Sequence, residues 1–247
     1  MAVQNIAFYK FVSLEDLPEW RVLFKDKCVE MGFRGSILLS GEGINGFLAG
    51  EPAQIEDFKV FLLSLPPFTG LEFKDSFSEK IPFKRMLVKL KNEIIPMGQP
   101  EIRPADFTGA RVTGPELKQW LDEKRDVVLI DTRNEYEIKF GTFKGAVDMK
   151  LDHFREFAEK LDLLQPELKD KEVVMFCTGG IRCEKATAYA MKKGFKKVYQ
   201  LEGGILKYFE ECRQEHYEGE CFVFDTRGSV DADLKPGFDT GLRQPWK

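Results

Sequence analysis

A stretch rich in proline and glycine, from Met97 to Pro115, constrains the fold more than any other feature of the 247-residue sequence. Proline blocks the continuation of a helix and glycine relaxes the backbone, so this composition is typical of a linker. The length of the chain also favours two domains. We therefore predict a first domain at residues 1–96, a linker at 97–114, a second domain at 115–217 and a C-terminal extension at 218–247.

Composition and charge exclude several classes of protein. The sequence has 37 Lys and Arg against 41 Asp and Glu, a net charge of −4, so it is not a basic protein as a whole. The longest apolar run, Val173–Cys177, is far shorter than the roughly 20 residues of a membrane-spanning helix. Residues 1–10 lack the charged and apolar segments of a secretory signal. These features predict a cytoplasmic protein that does not associate with membranes.

The cysteines and histidines suggest neither a disulfide scaffold nor a metal site. Five cysteines, an odd number, are too sparse in a chain of this size for a disulfide framework, so we expect reduced thiols. The two histidines, His153 and His216, lie outside any spacing typical of metal ligands. Residue spacing therefore identifies no metal and no organic cofactor.

The first domain alternates strands and helices in the order β-α-β-β-α-β. Its helix pattern places Cys28 on the buried face, and Ser13 is the expected N-cap of that helix. This order predicts a ferredoxin-like (acylphosphatase-like) α+β sandwich. The predicted elements are a strand at 6–12, a helix from 13 to about 31, strands at 35–40 and 44–49, a helix at 56–65, and strands at 71–77 and 84–95.

The second domain has strands that are apolar throughout and alternate with helices. Such strands are typical of a parallel α/β sheet with helices on both faces. Beyond Thr226 the sequence has no periodicity, and we expect a loosely ordered tail. The predicted elements are a helix at 114–124, a strand at 127–131, a helix at 152–164, a strand at 172–177, a helix at 181–193, a strand at 197–201 and a helix at 205–215.

The segment from Cys177 to Arg182 is the candidate catalytic site. A cysteine ends a buried strand, a glycine-rich turn follows, and a helix begins, so backbone N–H groups converge where they stabilise a thiolate. Cys177 is therefore the candidate nucleophile, and Arg182 could hold an anionic sulfur donor or a phosphate. The alternative is a cysteine that is merely buried at a strand end. The loop residues are Thr178, Gly179, Gly180, Ile181 and Arg182.

Cys183 allows two interpretations. It follows Arg182 inside the next helix, where a small apolar side chain packs well, so it is either a core residue or an auxiliary, resolving thiol. The length of the preceding loop favours sulfur chemistry. Only four residues separate Cys177 from Arg182, whereas cysteine-dependent phosphatases need five residues between cysteine and arginine to wrap a phosphate.

Four motifs of the second domain, taken in order, resemble those of rhodaneses, in which the loop cysteine carries a persulfide. The resemblance covers about residues 115–217 and implies a rhodanese-like α/β domain. We interpret Arg133 and Glu137 as a structural ion pair, and Gly203 and Gly204 as allowing a close turn past the loop. The motifs are Asp131-Thr132-Arg133 with Glu135 and Glu137, Gly141 to Ala146, Cys177 to Arg182, and Leu201 to Ile205.

Further motifs extend the resemblance to nearly the whole chain. The sequence is similar to the bacterial oxygen-dependent tRNA uridine hydroxylases, which convert the wobble-position uridine to 5-hydroxyuridine. This resemblance implies a tRNA-modifying oxidoreductase with tRNA as partner, molecular oxygen as co-substrate and Cys177 in the persulfide position. The motifs are Phe8 to Phe11, Gly35 to Leu39, Gly41 to Gly46, Cys177 to Ala186 and Cys221 to Asp225.

One segment of the first domain is a candidate RNA-binding surface. Between residues 80 and 91 the chain has five basic residues and no acidic one, although the protein as a whole is acidic. Contacts to phosphates need local rather than net positive charge. The alternative is a solvated strand edge protected by lysines. The residues are Lys80, Lys84, Arg85, Lys89 and Lys91.

Two other functions remain open at this point. One is a sulfurtransferase that passes persulfide sulfur to a small thiol acceptor. The other is a non-enzymatic module that binds RNA or protein, against which the intact Cys177 loop argues. The sequence implies no obligate protein partner.

Overall fold

The computed structural model describes residues 2–164 and 166–237. The chain divides into two compact units, and the division falls between Pro96 and Met97. Among the described residues, no helix has both the length and the apolar character needed to cross a bilayer.

The first unit is a five-stranded sheet in the order β4-β1-β3-β2-β5. Strand β5 pairs in parallel with β2 and extends the four-stranded core of a ferredoxin-like fold, so the predicted fold is confirmed. The elements are β1 (Val3–Phe11), α1 (Leu17–Glu30), β2 (Arg34–Ser40), β3 (Gly43–Gly50), α2 (Pro52–Ser64), β4 (Phe73–Ser78) and β5 (Met86–Leu90).

The core of the first unit forms where the apolar faces of α1 and α2 pack against the sheet. Phe24 and Cys28 from α1 and Phe58 from α2 are fully buried, which confirms the core position of Cys28. Helix α1 begins four residues later than predicted, and Asp16 rather than Ser13 is its N-cap. Pro18 explains the difference, because proline is tolerated only in the first turn of a helix.

Close packing explains two glycines in the first half of β3. A side chain at Gly43 would meet the Lys10 carbonyl oxygen at 2.0 Å, and one at Gly46 would meet the Phe8 ring at 2.2 Å. Between them, the Asn45 amide donates a hydrogen bond of 3.1 Å to the Ile94 carbonyl. These contacts hold β3 between its neighbours and hold the chain after β5 against it.

The second unit contains a five-stranded parallel sheet in the order β6-β11-β10-β7-β9, so the predicted parallel α/β sheet is confirmed. Two short antiparallel pairs, β8–β12 and β13–β14, accompany it. The elements are β6 (Ala110–Val112), α3 (Gly114–Asp122), β7 (Val127–Asp131), α4 (Glu135–Ile138), β8 (Gly141–Phe143), β9 (Val147–Asp148), α5 (Phe157–Asp162), β10 (Glu172–Phe176), α6 (Ile181–Lys192), β11 (Lys197–Leu201), α7 (Gly204–Cys212), β12 (Tyr217–Gly219), β13 (Cys221–Phe222) and β14 (Ser229–Val230).

The segment predicted as a linker, 97–114, differs from that expectation. It falls within the second unit, and residues 110–112 form the edge strand β6, which pairs with β11. The Gly109 N–H also donates to the Thr187 hydroxyl of α6 at 3.0 Å. A strand of three residues leaves no periodic signal in sequence, so the surrounding prolines and glycines obscured it.

The prediction of a loosely ordered tail is wrong for residues 227–237, the part of the tail that the structure describes. Residues 229–230 pair with 221–222, and the Gly237 N–H donates to the Ser229 carbonyl. The rest of the predicted tail, residues 238–247, lies outside the described residues.

Candidate active site

The reactive loop starts at the end of β10, which lies between β11 and β7 in the parallel sheet. Ligands of such sheets bind beyond the carboxyl ends of the strands. The Thr132 hydroxyl and N–H, which follow β7, both donate to the Phe176 carbonyl at 3.0 Å. Gly180 then takes a φ of 96°, a left-handed conformation that suits glycine, and α6 begins at Ile181. The ends of two neighbouring strands therefore fix the position of Cys177.

The Cys177 thiol is only 1% exposed, yet its surroundings favour the thiolate. Burial alone would raise its pKa. A hydrogen bond from Cys183, the positive charge of Arg182, and backbone N–H groups of Arg182 and Gly180 outweigh burial and lower the pKa to about 5. The Gly180 N–H lies 3.1 Å from Sγ. Cys177 is thus ionised at neutral pH, which is the form in which a thiol is nucleophilic.

Cys183 is fully buried and contacts the reactive thiol. It lies in the first turn of α6, and its Sγ is 3.7 Å from the Thr132 hydroxyl. Burial and the hydrogen bond to the Cys177 thiolate raise its pKa well above the ordinary value. Cys183 therefore remains protonated when Cys177 is ionised.

Arg182 forms a different ion pair from the one expected. Its guanidinium binds Glu137 through two hydrogen bonds of 2.5 and 2.7 Å, and both side chains are buried. The predicted pair of Arg133 with Glu137 is therefore wrong. Glu137 is inside α4, whereas Arg133 precedes the N-cap Asn134, so the two residues do not share a helix face.

Arg133 pairs instead with Asp131, at the end of β7. Its Nη2 lies 2.7 Å from Asp131 Oδ2, and the same atom donates to the Gly141 carbonyl at 2.6 Å. The Thr142 hydroxyl donates to Asp131 as well. Arg133 thus joins β7 to β8 and is a structural residue, as predicted, although with another partner.

Gly204 confirms the expected close approach to the loop. A side chain there would meet the Cys177 carbonyl at 2.5 Å and the Gly180 nitrogen at 2.8 Å. Gly203 differs, because the three atoms nearest to a side chain there all belong to the flexible side chain of Lys207. Both glycines have a φ of 69°.

Sequence reasoning assigned no structural role to one wall of the site. The segment Cys221–Asp225 lies against the loop, where the Thr178 hydroxyl approaches the Phe222 carbonyl at 3.5 Å. The Phe224 ring lies 5.9 Å from the Arg182 guanidinium. The four consecutive apolar residues from Cys221 to Phe224 were the sequence signal that this segment packs against the domain. The sequence analysis used the motif only as part of the family resemblance.

The five basic residues proposed for RNA binding lie in the first unit and are exposed. Strand β5 is shorter than the predicted 84–95, so only Lys89 is within it, and Lys91 directly follows it. Lys84 and Arg85 precede β5, and Lys80 lies in the turn after β4. None of the five forms an ion pair with another described residue.

The remaining thiols differ from Cys177 in their chemistry. All five cysteines are free. Burial raises the pKa of Cys28 and of Cys221 to about 12. Within the described part of the chain, no three His, Cys, Asp or Glu side chains lie close enough to hold a metal ion.

The low pKa of Cys177 predicts a distinct pH profile of alkylation. Above pH 6 about nine-tenths or more of the thiol is ionised, so iodoacetamide should modify Cys177 at a nearly constant rate up to pH 8 and more slowly as the pH falls through about 5. Peptide mapping after limited treatment measures the rate at each cysteine. Cys28 serves as the internal control, and faster modification of Cys28 or Cys212 at pH 7 would contradict this account.

Solved structures resemble parts of this chain only distantly. A rhodanese-like domain from Anabaena sp. is 19% identical, with a TM-score of 0.37, and covers 44% of this chain and 78% of that chain. A human single-domain sulfurtransferase is 23% identical, with a TM-score of 0.35, and covers 42% of this chain and 97% of that chain.

Family comparisons cover both units. Residues 3–94 match the UPF0176 acylphosphatase like domain, and residues 113–211 match the rhodanese-like domain. A tRNA uridine(34) hydroxylase from Cupriavidus necator is 48% identical over 241 residues, covering 96% of this chain and 86% of the relative. One from Burkholderia lata is 48% identical over 245 residues with the same coverage. The chain therefore belongs to the tRNA uridine(34) hydroxylase family, as its sequence motifs indicated.

Proposed function

We propose that this protein hydroxylates the wobble-position uridine of tRNA to 5-hydroxyuridine in an oxygen-dependent reaction that uses Cys177. The observation that carries the proposal is an intact, ionised Cys177 loop in a chain that is 48% identical to tRNA uridine(34) hydroxylases over 96% of its length. Molecular oxygen is the co-substrate and tRNA the partner. Because its substrate is tRNA, we place the protein in the cytoplasm.

Cys177 supplies the chemistry that uridine needs. The C5 atom of a uridine is a weak target for direct attack by oxygen, so we assign Cys177 a covalent or redox role as thiolate or persulfide. The loop residues Thr178 to Arg182 hold the sulfur and stabilise its negative charge. Arg182, which Glu137 holds through two hydrogen bonds, stabilises the negative charge of the sulfur with its own positive charge.

Cys183 is the candidate auxiliary thiol. Hydroxylation places one atom of O₂ on the base, and reduction of the other atom to water consumes two electrons and two protons. Two thiols that join in a disulfide release two electrons and two protons. The hydrogen bond between Cys177 and Cys183 makes this pair the candidate internal source.

A persulfide sulfurtransferase is the second candidate. The four-residue loop and the low pKa of Cys177 support it, because both suit a persulfide. It differs from hydroxylation in its product, which would be a modified small thiol rather than a modified tRNA.

Replacing Cys177 distinguishes these functions. Cys177→Ser retains the size of the side chain but leaves a hydroxyl that stays protonated, so we expect the variant to fold and bind tRNA while 5-hydroxyuridine becomes undetectable. The measurement is nucleoside mass spectrometry of tRNA from a deletion strain that carries each variant, grown with and without oxygen. Cys183→Ser should lower the 5-hydroxyuridine level if Cys183 supplies electrons.

Cys212→Ser is the matched control, since Cys212 lies in α7 away from the loop, and it should leave the modification intact. A normal 5-hydroxyuridine level with Cys177→Ser would reject a chemical role for this thiol. Modification that the protein supports without oxygen would reject the oxygen-dependent reaction.

The basic residues around β5 are the proposed tRNA contacts. Reversal of three of them, Lys84→Glu, Arg85→Glu and Lys89→Glu, should weaken tRNA binding and reduce its salt dependence. Each lost phosphate contact removes about 0.7–0.9 from the slope of log affinity against log salt, so the slope should fall by about two. A binding titration over several salt concentrations measures it.

The control reverses three exposed lysines of the second unit, Lys144, Lys192 and Lys196, with the same change in net charge. Its slope should remain close to that of the wild type. If the β5 variant also retains the wild-type slope, these residues only protect the edge of the sheet, which is the alternative interpretation.

A further inference from the structure

The sheet of the first unit has an outer face, turned away from α1 and α2, that differs from its core face. Ile44 and Leu48 of β3 belong to the core beneath the helices. Side chains alternate between the two faces of a strand, so Phe47 points to the outer face, where it is half-buried rather than buried. The middle of the outer face is a row of half-buried residues, one from each of four strands, namely Ala7, Phe47, Ser36 and Leu87.

Phe47 has small neighbours on both sides. It lies on β3, the central strand of the sheet, and the residues directly opposite it on β1 and β2 are Ala7 and Ser36, which are too small to cover an aromatic ring. Phe47 makes no aromatic or cation–π contact with another residue that the structure describes. Tyr9, on the same face, already has the Lys74 Nζ 5.2 Å from its ring centroid. Phe47 is therefore the ring of this face on which a further planar group can stack.

The strands contribute basic residues but no acidic residue to the outer face. Asp75 is the only acidic residue in the five strands, and it faces α2, where the Lys59 Nζ lies 2.7 Å from its carboxylate. Arg34 of β2 and Lys89 of β5 point to the outer face by the same alternation, and both are exposed. An aromatic ring flanked by cations matches the chemistry of single-stranded RNA, whose bases stack and whose phosphates carry the charge.

We propose that the outer face of this sheet binds the unpaired loop of an RNA hairpin, with a base stacked on Phe47 and neighbouring phosphates at Arg34 and Lys89. The proposal rests on the proposed function, which makes the anticodon loop of tRNA the ligand. A duplex keeps its bases paired and stacked inside, so only unpaired nucleotides offer a base to an aromatic side chain on a sheet. Phe47 is thus a positioning residue for the RNA, and the first unit distinguishes a single-stranded loop from a duplex.

Binding of two matched hairpins tests this assignment. The full-length protein is titrated with an anticodon stem-loop RNA and with the same hairpin whose loop nucleotides lack their bases. Both RNAs carry the same number of phosphates, so the electrostatic contribution to affinity is similar. Stacking of one base on Phe47 should make the wild type bind the complete hairpin about 5- to 150-fold more tightly than the abasic one.

Variants of Phe47 separate stacking from other effects. Phe47→Ala and Phe47→Leu should lose the preference because neither has a ring, and Phe47→Tyr should retain it. Phe47→Leu keeps an apolar side chain on the sheet, so its result stands even if Phe47→Ala does not fold. The salt dependence of binding should stay at its wild-type slope in all three variants, since a phenyl ring contacts no phosphate.

Phe77→Ala is the matched control. Phe77 belongs to β4 of the same sheet and is 55% exposed, but it lies on the face that Asp75 shares, not on the outer face. Its removal should leave the preference for the complete hairpin intact. In complemented cells, Phe47→Leu should lower the 5-hydroxyuridine level, and Phe47→Tyr should retain it.

Several results would overturn the assignment. A wild-type protein that binds both hairpins equally, or a Phe47→Leu variant that retains the preference, excludes stacking on this ring. A dimer in light scattering that Phe47→Leu dissociates, without a change in RNA binding, would assign the outer face to contact between two copies of the chain. The proposed function fails separately, if deletion of the gene leaves 5-hydroxyuridine in tRNA unchanged while the purified protein still prefers the complete hairpin.

Discussion

The buried ion pair between Glu137 and Arg182 is the interaction on which the active site depends. It joins helix α4, which follows β7, to the first turn of α6, which follows β10. Loss of one partner from such a pair typically costs about 3–5 kcal/mol, because the other charge remains buried without compensation. The pair therefore fixes the end of the Cys177 loop, and it also keeps a positive charge beside the sulfur.

Within this loop, charged and polar groups act on the sulfur. Arg182, paired with Glu137, places its positive charge beside Cys177, and the Gly180 N–H points to the Cys177 sulfur. We propose that contacts to the phosphates of tRNA come from the exposed basic residues around β5 in the first unit.

The structural features that could be predicted from the sequence are those that depend on long periodic patterns or on a local motif. The order of the longer strands and helices of both units and the position of Cys177 at a strand-to-helix turn belong to this class. It did not predict the partner of Arg182, because Glu137 is 45 residues away in sequence. Short strands such as β6 and β13, of two or three residues, carry no periodicity and form only because the adjacent sheet or hairpin pairs with them.

The ionisation of Cys177 tests the central claim most directly. The ultraviolet absorbance of the thiolate is titrated in the wild type and, after subtraction of Cys177→Ser, assigned to this residue. The double variant Arg182→Met with Glu137→Gln removes both charges, so no buried charge remains unpaired. We expect a midpoint at pH about 5 in the wild type and a midpoint at least one pH unit higher in the double variant, provided that its circular dichroism is native. Equal midpoints, or a wild-type midpoint at the ordinary value of a free thiol, would contradict the account.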